Sequence, residues 1–177
     1  VCGGNGSSCS TVALSFGEVT SNSVEVLYTS SGNISGYQFD VTGLEVTEGT
    51  GDLDTELGDE DLPFGGTVLG FSFSGYEMAE GSGVLVTLSF SAVTAESSVL
   101  SLGNFGAITD GNGNAYATVT FGDDLVHGVA DCAGVFGGTA VLDCADVCGG
   151  TSVVGGCDST CGSDLVDDAC GVCGGDG

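Results

Sequence analysis

The sequence predicts an all-β protein, in which an antiparallel, jelly-roll-like β-sandwich is followed by an extended, disulfide-rich repeat tail. Short apolar runs rich in Val, Phe, Tyr and Thr end at Gly, Asn or Asp between residues 11 and 128, and none shows a helical period. Of the nine cysteines, seven lie beyond residue 131. These observations indicate three segments: 1–10, the end of a Cys-rich repeat; 11–128, the sandwich; and 129–177, a series of Cys/Asp/Gly-rich repeats.

The front segment resembles the last residues of the chain. Residues 1–6 read VCGGNG and residues 172–177 read VCGGDG, which agree at five of six positions. Such a match is typical of one period cut from an array, and the alternative is that two similar repeats merely bracket the sandwich.

The middle segment is expected to form two antiparallel sheets packed face to face, since it holds many short strands without βαβ spacing. Large apolar residues recur at every second position in Val84, Val86, Leu88 and Phe90, which predicts one inward face. The stretch 45–61, with eight carboxylates, is expected to be a solvated loop. The predicted strands are Thr11–Phe16, Ser23–Thr29, Gly36–Thr42, Leu44–Thr47, Thr67–Ser74, Val84–Val93, Val99–Gly103 and Tyr116–Phe121.

The charge composition excludes several classes of function. The chain has no Lys or Arg and 25 Asp and Glu residues, which gives a formal net charge of −25. A chain without cations cannot neutralise phosphates, so nucleic-acid binding and binding to anionic membrane surfaces are excluded. No apolar stretch is long enough to insert across a bilayer. Cations are the expected partners.

Catalysis is not expected. The single histidine, His127, lies where the sandwich ends and is expected to be a linker or packing residue. Neither Lys nor Arg is present to clamp a phosphoryl group or stabilise an oxyanion. Adjacent acids such as Glu60 and Asp61 would point to opposite faces of a strand, so they do not form a glycosidase pair. We therefore predict that the protein is not an enzyme.

The sandwich segment resembles a known superfamily. GYQFDVTGLEV at residues 36–46 and TVLGFSFSGYEMAEGSGVLVTLSF at residues 67–90 resemble the cohesin and carbohydrate-binding-module group of jelly-roll sandwiches. The resemblance covers roughly residues 11–128. It implies a domain that docks a partner module or a sugar and performs no chemistry. The candidate aromatic residues for sugar contact are Tyr28, Tyr37, Tyr76 and Tyr116.

The tail is periodic. Its apolar pairs at 141–142, 153–154 and 165–166 recur at steps of twelve residues, with Gly-Gly pairs between them. DACGVCGGDG at residues 168–177 resembles the Asp/Cys/Gly-rich calcium-binding repeats of the thrombospondin type-3-like class. That resemblance implies a secreted, calcium-binding repeat.

The cysteines predict a set of disulfides, which persist in oxidising compartments. Pairing the second Cys of each repeat with the first of the next gives Cys148–Cys157 and Cys161–Cys170. Cys2 would then pair with Cys9, and Cys132 with Cys144, because Phe136 stands where another Cys is expected. The partner of Cys173 would lie beyond the last residue given. Zinc is the alternative interpretation of the C-x3-C spacing, although the tail has no His.

Calcium is the predicted cofactor, because it prefers oxygen ligands and the tail acids are all Asp. In the sandwich, Asp110, Asn112 and Asn114 place three oxygen-bearing side chains at alternate positions, for which a hairpin turn is the other interpretation. The candidate ligands in the tail are Asp131, Asp143, Asp146, Asp158, Asp164, Asp167, Asp168 and Asp176.

Two N-x-S/T sequons, at Asn5 and Asn33, are candidate glycosylation sites in a secreted protein. Together the observations predict an extracellular structural protein, a repeating or polymerising subunit of a calcium- and disulfide-stabilised fibre in which copies associate head to tail. The alternative is a cell-surface or enzyme-borne adhesion module that binds a carbohydrate or a partner domain.

Overall fold

A computed structural model describes residues 10–57 and 66–177, and the predictions for Cys2, Asn5 and Cys9 lie outside the described residues. The chain divides into two compact units, the first ending at His127 and the second spanning Gly128–Gly177. Within the described residues the regular structure is entirely β. The strands are β1 (Thr11–Val19), β2 (Ser23–Ser30), β3 (Gly36–Thr42), β4 (Leu44–Thr50), β5 (Asp54–Leu57), β6 (Thr67–Phe71), β7 (Gly81–Val93), β8 (Ser97–Ser101), β9 (Ala107–Thr109), β10 (Thr118–Phe121), β11 (Leu125–Val126), β12 (Val154–Gly155) and β13 (Thr160–Cys161).

The first unit is a sandwich of two sheets. One sheet has the strand order β10-β1-β2-β7-β4, and the other has the order β11-β8-β3-β6-β5 with β9 paired to β3. Every pair is antiparallel except β1 with β10, which is parallel. The predicted fold class, an antiparallel β-sandwich with a disulfide-rich tail, is confirmed.

One hydrophobic core fills the space between the sheets. It takes Leu14 and Val26 from the first sheet and Phe39 and Val68 from the second, all at 0% exposure. The inward residues alternate along β2 and β3, as the pleat requires. The Tyr37 ring lies against Gly70 of β6, in the space where a β-carbon would be, and the Tyr37 hydroxyl lies 3.0 Å from the Thr55 hydroxyl on β5.

The prediction for Val84 is wrong. The pairing of β2 with β7 shifts register between Val26 and Leu27, opposite Leu85. This bulge places Leu85 and Val86 side by side in the core at 0% exposure and turns Val84 outward, with 42% of its surface exposed. A period-two pattern read from sequence cannot locate a bulge, because the bulge depends on the partner strand.

The acidic stretch 45–61 was predicted as a loop, and this prediction is wrong for its described part. β4 continues to Thr50 and β5 covers Asp54–Leu57. Both are edge strands, and the exposed side chains of Glu45, Glu48 and Asp54 reach water there. Leu53, 1% exposed, anchors the connection between them in the core.

The second unit has little regular strand. It is a series of four short hairpins, of which only β12 and β13 form a two-stranded sheet and the others are closed by single bridges: Ala130 with Phe136, Leu142 with Cys148, and Asp167 with Cys173. Many of its valines are exposed, and Val141 is 72% exposed. Covalent and hydrogen bonds, rather than a core, therefore hold this unit together.

In the part of the chain that the structure describes, no helix has the length and apolar character needed to cross a membrane.

Candidate functional site

Three of the four tail hairpins begin with an aspartate in a turn that we call the Asp loop, defined as residues 131–135, 143–147 and 168–172. In the first loop the Asp131 Oδ1 accepts hydrogen bonds from the backbone N–H groups of Ala133 (2.9 Å) and Val135 (3.0 Å). The Gly134 N–H donates to the Asp131 carbonyl, and the Asp131 N–H donates to the Val135 carbonyl. The same four bonds occur in the other two loops. The aspartate thus organises the turn as an internal acceptor.

The Gly-Gly pair that follows each Asp loop has two different functions. The first glycine, for example Gly149, adopts a φ of 67°, a conformation that residues with a side chain rarely adopt. The second glycine, Gly150, lies against the Asp143 carboxylate, so a β-carbon there would overlap Oδ2. That same Oδ2 accepts the N–H of Ser152 at 3.0 Å.

The third tail repeat, residues 156–160, is an exception that supports this account. Gly156 takes the place of the loop aspartate, and Ser163 takes the place of the second glycine. Asp158 supplies the carboxylate from two residues further on, and its Oδ1 lies where a β-carbon of Gly156 would be. The Thr160 N–H donates to this oxygen at 3.4 Å. The loop keeps its carboxylate although the aspartate has moved.

The disulfides connect consecutive repeats in a staggered order. They are Cys132–Cys148, Cys144–Cys161 and Cys157–Cys173, with Cα–Cα distances of 5.5–5.6 Å. In each bond, the cysteine at the second position of one loop pairs with the cysteine that directly follows the next loop. Cys132, which follows Asp131, is thus bonded to Cys148, which follows Val147. The predicted pairs Cys132–Cys144, Cys148–Cys157 and Cys161–Cys170 are wrong, because the packing of successive hairpins brings together cysteines 16 or 17 residues apart rather than the nearest ones in sequence. We call this set of bonds the disulfide ladder.

Cys170 does not belong to the ladder. It is exposed and free, whereas Cys173 is paired with Cys157. In the last loop Ala169 follows Asp168, and Cys170 occupies the position that Ala133 and Ala145 hold in the first two loops.

The Asp loops shift the acidity of their carboxyls. Backbone N–H donors, chiefly those of Val135, Val147 and Val172, hold the pKa values of Asp131, Asp143 and Asp168 below the usual range. For Asp158 the pKa is also lowered, mainly by hydrogen bonds from the Ser163 and Thr160 side chains.

The predicted calcium ligands of the tail are not gathered into one carboxylate cluster within the described residues. The closest grouping of acid and thiol atoms joins Asp167 to Cys157 and Cys173, whose sulfurs are already bonded to each other. Among the other candidates, Asp146 adopts a φ of 60° at the fourth position of its loop. The Asp164 and Asp176 carboxylates accept no hydrogen bond from the residues that the structure describes. Calcium binding by the tail stays a prediction.

The sandwich contains a further Asp loop, at residues 110–114. The Asp110 Oδ1 accepts the N–H groups of Asn112 and Asn114, both at 2.9 Å, and the Gly113 N–H donates to the Asp110 carbonyl. These bonds, led by that of Asn114, lower the Asp110 pKa. The bridge of Thr109 with Ala115 closes the turn as a hairpin, which is the geometry of the tail loops.

A polar cavity of about 320 Å³ lies beside this loop. Its lining includes Asn33, Glu77, Asp110 and Tyr116. Asn33 Nδ2 donates to Glu77 Oε2 at 2.9 Å, and the Tyr116 hydroxyl donates to the Asn33 carbonyl at 2.8 Å. Burial, together with the charges of Asp110 and Glu80, raises the Tyr116 pKa. The cavity is therefore lined by oxygen atoms and is negative.

The sequon at Asn33 is part of this network. The Asn33 side chain is exposed but bonds Glu77, and its Oδ1 accepts the Glu80 N–H at 3.2 Å. The next residue, Ile34, is fully buried and bridged to Met78. Glycosylation of Asn33 stays a prediction.

The outer face of the second sheet carries an apolar patch, which we define as Leu69, Phe71, Phe73 and Phe105. Phe73 is 89% exposed and Phe105 is 71% exposed. Phe71 and Phe73 make an edge-to-face contact with ring centroids 4.8 Å apart. A shallow cavity of about 300 Å³ lies between Phe71, Phe105 and Gln38, with Gly36 in its floor. The sequence analysis missed this patch, although the F-x-F spacing of residues 71–73 was its signal.

The predicted aromatic residues for sugar contact are mostly buried. Tyr28, Tyr37 and Tyr116 are 2–8% exposed, and only Tyr76 reaches the surface, at 47%. The exposed aromatic surface of the sandwich comes chiefly from phenylalanines instead.

His127 closes the sandwich unit. The imidazole Nε2 of His127 lies 2.6 Å from the hydroxyl of Ser98, which is fully buried. The backbone N–H of His127 donates to the Glu96 carbonyl. Burial lowers the His127 pKa. Because the Ser98 hydroxyl is buried, the pair pins β8 to β11 and does not present a nucleophile to solvent.

No protein-family model matches the chain, and no curated protein matches it. Solved structures that are similar to it include a chain of the crystallised CaDoc0917–CaCohA2 complex, with 16% identity, a TM-score of 0.47, and coverage of 64% of this chain and 95% of that one. A non-cellulosomal cohesin of Archaeoglobus fulgidus has 18% identity, a TM-score of 0.44, and coverage of 64% and 88%. The seventh ScaB type I cohesin of Pseudobacteroides cellulosolvens has 16% identity, a TM-score of 0.41, and coverage of 66% and 90%.

Proposed function

We propose that this chain is a non-catalytic extracellular binding module, whose sandwich docks a protein partner and whose tail is a covalently braced spacer. The observation that carries the proposal is the apolar patch on the second sheet. The sandwich has a closed core, and Phe73 lies outside that core with 89% of its surface exposed. Such patches are typical of interaction sites.

Charge indicates the chemistry of the partner. Asp54 is paired with Phe71 across β5 and β6, and Asp40 lies on β3 of the same sheet. The chain has no basic side chain to balance them. A complementary surface would therefore present one or two apolar side chains surrounded by Lys or Arg.

The tail supports the spacer part of the proposal. Each rung of the disulfide ladder joins one repeat to the next, which stiffens a unit that has no core of its own. Disulfides of this kind persist outside the cell, which supports secretion.

The test compares two double variants. F73S/F105S removes the exposed rings, and V19T/V84T is the control, since Val19 and Val84 are apolar residues of the other sheet that are 43% and 42% exposed. Proteins that co-purify with the chain from the cells that make it are titrated one at a time against the wild type and both variants. We expect F73S/F105S to weaken binding by roughly 30-fold or more, as loss of an aromatic anchor does. Equal binding by all three forms would contradict the proposal, and retention only on immobilised polysaccharide would favour a sugar ligand.

A calcium- and disulfide-stabilised fibre is the second candidate function. Its support is the near-identity of residues 1–6 and 172–177, which would allow one repeat pattern to continue from copy to copy. Electron microscopy in millimolar calcium should then show filaments with one sandwich per axial step, loosened by combined chelation and reduction. A persistent monomer in oxidised protein with calcium present would exclude this candidate.

Calcium itself is proposed at the cavity beside Asp110, where Glu77, Asp110 and Asn33 contribute oxygen atoms. At Asp110 the backbone N–H donors contact Oδ1, whereas at Asp131 both carboxylate oxygens accept backbone N–H groups, so a calcium ion would meet more competition in the tail loop. Isothermal titration should therefore give heat that E77Q reduces and that D176N does not change. Equal heats from wild type and E77Q would place any calcium elsewhere.

A further inference from the structure

Most edge strands in the described part of the sandwich are protected against pairing with another chain. β4 carries Glu45 and Glu48 and has two register shifts against β7, β5 carries Asp54, and β9 and β11 are only three and two residues long. Charges, bulges and short length are the usual ways in which sheet edges are blocked. β10 is the exception, because its sequence TVTF has no charge and no Pro, and its pairing with β1 has no register shift.

The free hydrogen-bonding groups of β10 follow from its pairing with β1. The N–H groups of Thr118 and Gly122 both donate to backbone carbonyls within residues 10–14. Backbone groups point to alternate sides along a strand, so those of Val119 and Phe121 point away from β1. No strand lies beyond β10 among the described residues. Two N–H groups and two carbonyls are therefore available to a further strand.

We propose that β10 is a self-association strand, which pairs antiparallel with β10 of a second copy of this chain about a two-fold axis at Thr120. The antiparallel register that uses all four free groups places Val119 of each copy opposite Phe121 of the other. Both side chains are partly buried against the core, on the inner face of the sheet. The Thr120 side chains of the two copies meet on the exposed outer face, where Thr–Thr pairs stabilise a sheet. The register is complementary to itself, as a two-fold interface requires.

Charge favours this edge for contact between copies. Each copy has a net charge of −25 and no Lys or Arg, so two copies approach most readily where carboxylates do not face each other. The acids nearest to β10 along the chain are Asp123 and Asp124, directly after the strand. In the proposed register Asp123 lies opposite Ala117 of the second copy, so the Asp123 residues of the two copies are six residues of extended chain apart, about 20 Å. That distance exceeds the screening length of about 8 Å at physiological ionic strength.

The pairing joins the five-stranded sheets of two sandwiches into one continuous sheet. Because each copy uses the same strand, the contact closes at two copies and does not continue into a filament. The inference does not rest on the proposed docking function, since β10 and the apolar patch belong to different sheets. A pair of copies presents two apolar patches to a partner.

The experiment measures the molar mass of the full chain by sedimentation equilibrium, from micromolar to millimolar concentration at physiological ionic strength. A chelator is present and free thiols are blocked with maleimide, so that neither calcium nor a disulfide joins copies. We expect a monomer–dimer equilibrium in the wild type. T120E places two carboxylates opposite each other on the axis and should weaken the dimer about fivefold or more, as like charges do across a strand pair. T29E is the matched control, because Thr29 is an exposed threonine of the interior strand β2, and its dissociation constant should stay close to that of the wild type.

A charge exchange tests the register. T120K alone also places like charges on the axis and should dimerise weakly, whereas an equimolar mixture of T120E and T120K pairs opposite charges and should restore the dimer. A wild type that is monomeric at every concentration would overturn the proposal. The same holds for a dimer that T120E and T29E weaken equally, for species larger than two copies, and for a mixture of the two charged variants that associates no more tightly than either alone.

Discussion

The Asp143 carboxylate lies directly against Gly150: its Oδ2 fills the space that a β-carbon on residue 150 would need. A side chain at residue 150 and the present position of the carboxylate are therefore incompatible. The same relationship joins Asp131 to Gly138 and Asp168 to Gly175. Only the third repeat has a side chain, Ser163, at the glycine position, and only there is the loop aspartate replaced by Gly156. The Asp and Gly-Gly elements of the tail are therefore one coupled feature.

The coupling between the aspartate and the glycine predicts that a side chain at residue 150 loosens the second Asp loop and that two further substitutions restore it. G150S should displace the Asp143 carboxylate and speed amide hydrogen exchange at Val147 and Ser152, whose N–H groups it accepts. The triple variant D143G/A145D/G150S rebuilds the arrangement of the third repeat and should restore slow exchange at Val147. If the triple variant exchanges as fast as G150S, the coupling is wrong.

The Asp loops predict a weakening of the tail in acid. The loop carboxyls have folded pKa values below those of an unfolded chain, which lie near 3.9. The stabilisation is therefore complete above about pH 4 and is lost as the pH falls through the folded pKa values. The amide resonances of Val135 and Val172 should move together with the titration of their aspartates, at lower pH than an Asp model peptide. Titration at the peptide value would contradict the loop hydrogen bonds.

The ladder predicts which thiol appears when one cysteine is removed. C148S should free Cys132, whereas sequential pairing would free Cys157. Opening this bond, whose ends are 16 residues apart, should destabilise the first two hairpins by on the order of 2–3 kcal/mol. Maleimide labelling followed by peptide mapping distinguishes the two patterns, and label on Cys157 in place of Cys132 would refute the ladder.

The sandwich core predicts a large effect at a small residue. A β-carbon on Gly70 would overlap the Tyr37 ring, so G70A should move the ring and break its hydrogen bond with Thr55. We expect a loss of about 1–3 kcal/mol in unfolding free energy, measured by chemical denaturation. L69A, at the exposed neighbouring position, is the control and should cost less. Equal losses would mean that Tyr37 does not pack as described.

The parts of the fold that depend on local pattern were predictable. β3 has the predicted bounds, Gly36–Thr42, because Tyr37, Phe39 and Val41 alternate strictly and all three are buried. β5 was missed because its acids suggested a loop, whereas the position of the strand at a sheet edge lets carboxylates remain in water. The exposure of Val84 depends on a bulge against β2, which no local pattern encodes.

The candidate sites likewise divide into features that a local sequence pattern indicates and features that depend on how the chain folds. The Asp-Gly composition of the tail correctly drew attention to Asp131 and Asp143, but the sequence does not show whether a carboxylate faces a cation or its own backbone. The disulfide partners depend on how the hairpins stack, so pairing by nearness along the chain was wrong. The apolar patch joins residues from β6 and from the segment before β9, and only the folded sheet brings them together.

The spans of the three ladder bonds overlap: Cys144 precedes Cys148, and Cys157 precedes Cys161. Every peptide bond between Cys132 and Cys173 therefore lies inside at least one covalent ring. A single cut anywhere in that stretch leaves both fragments attached to each other, and whatever lies beyond the tail stays tethered to the sandwich. Nicked protein should run as one species on a gel without reductant and separate only when reductant is added.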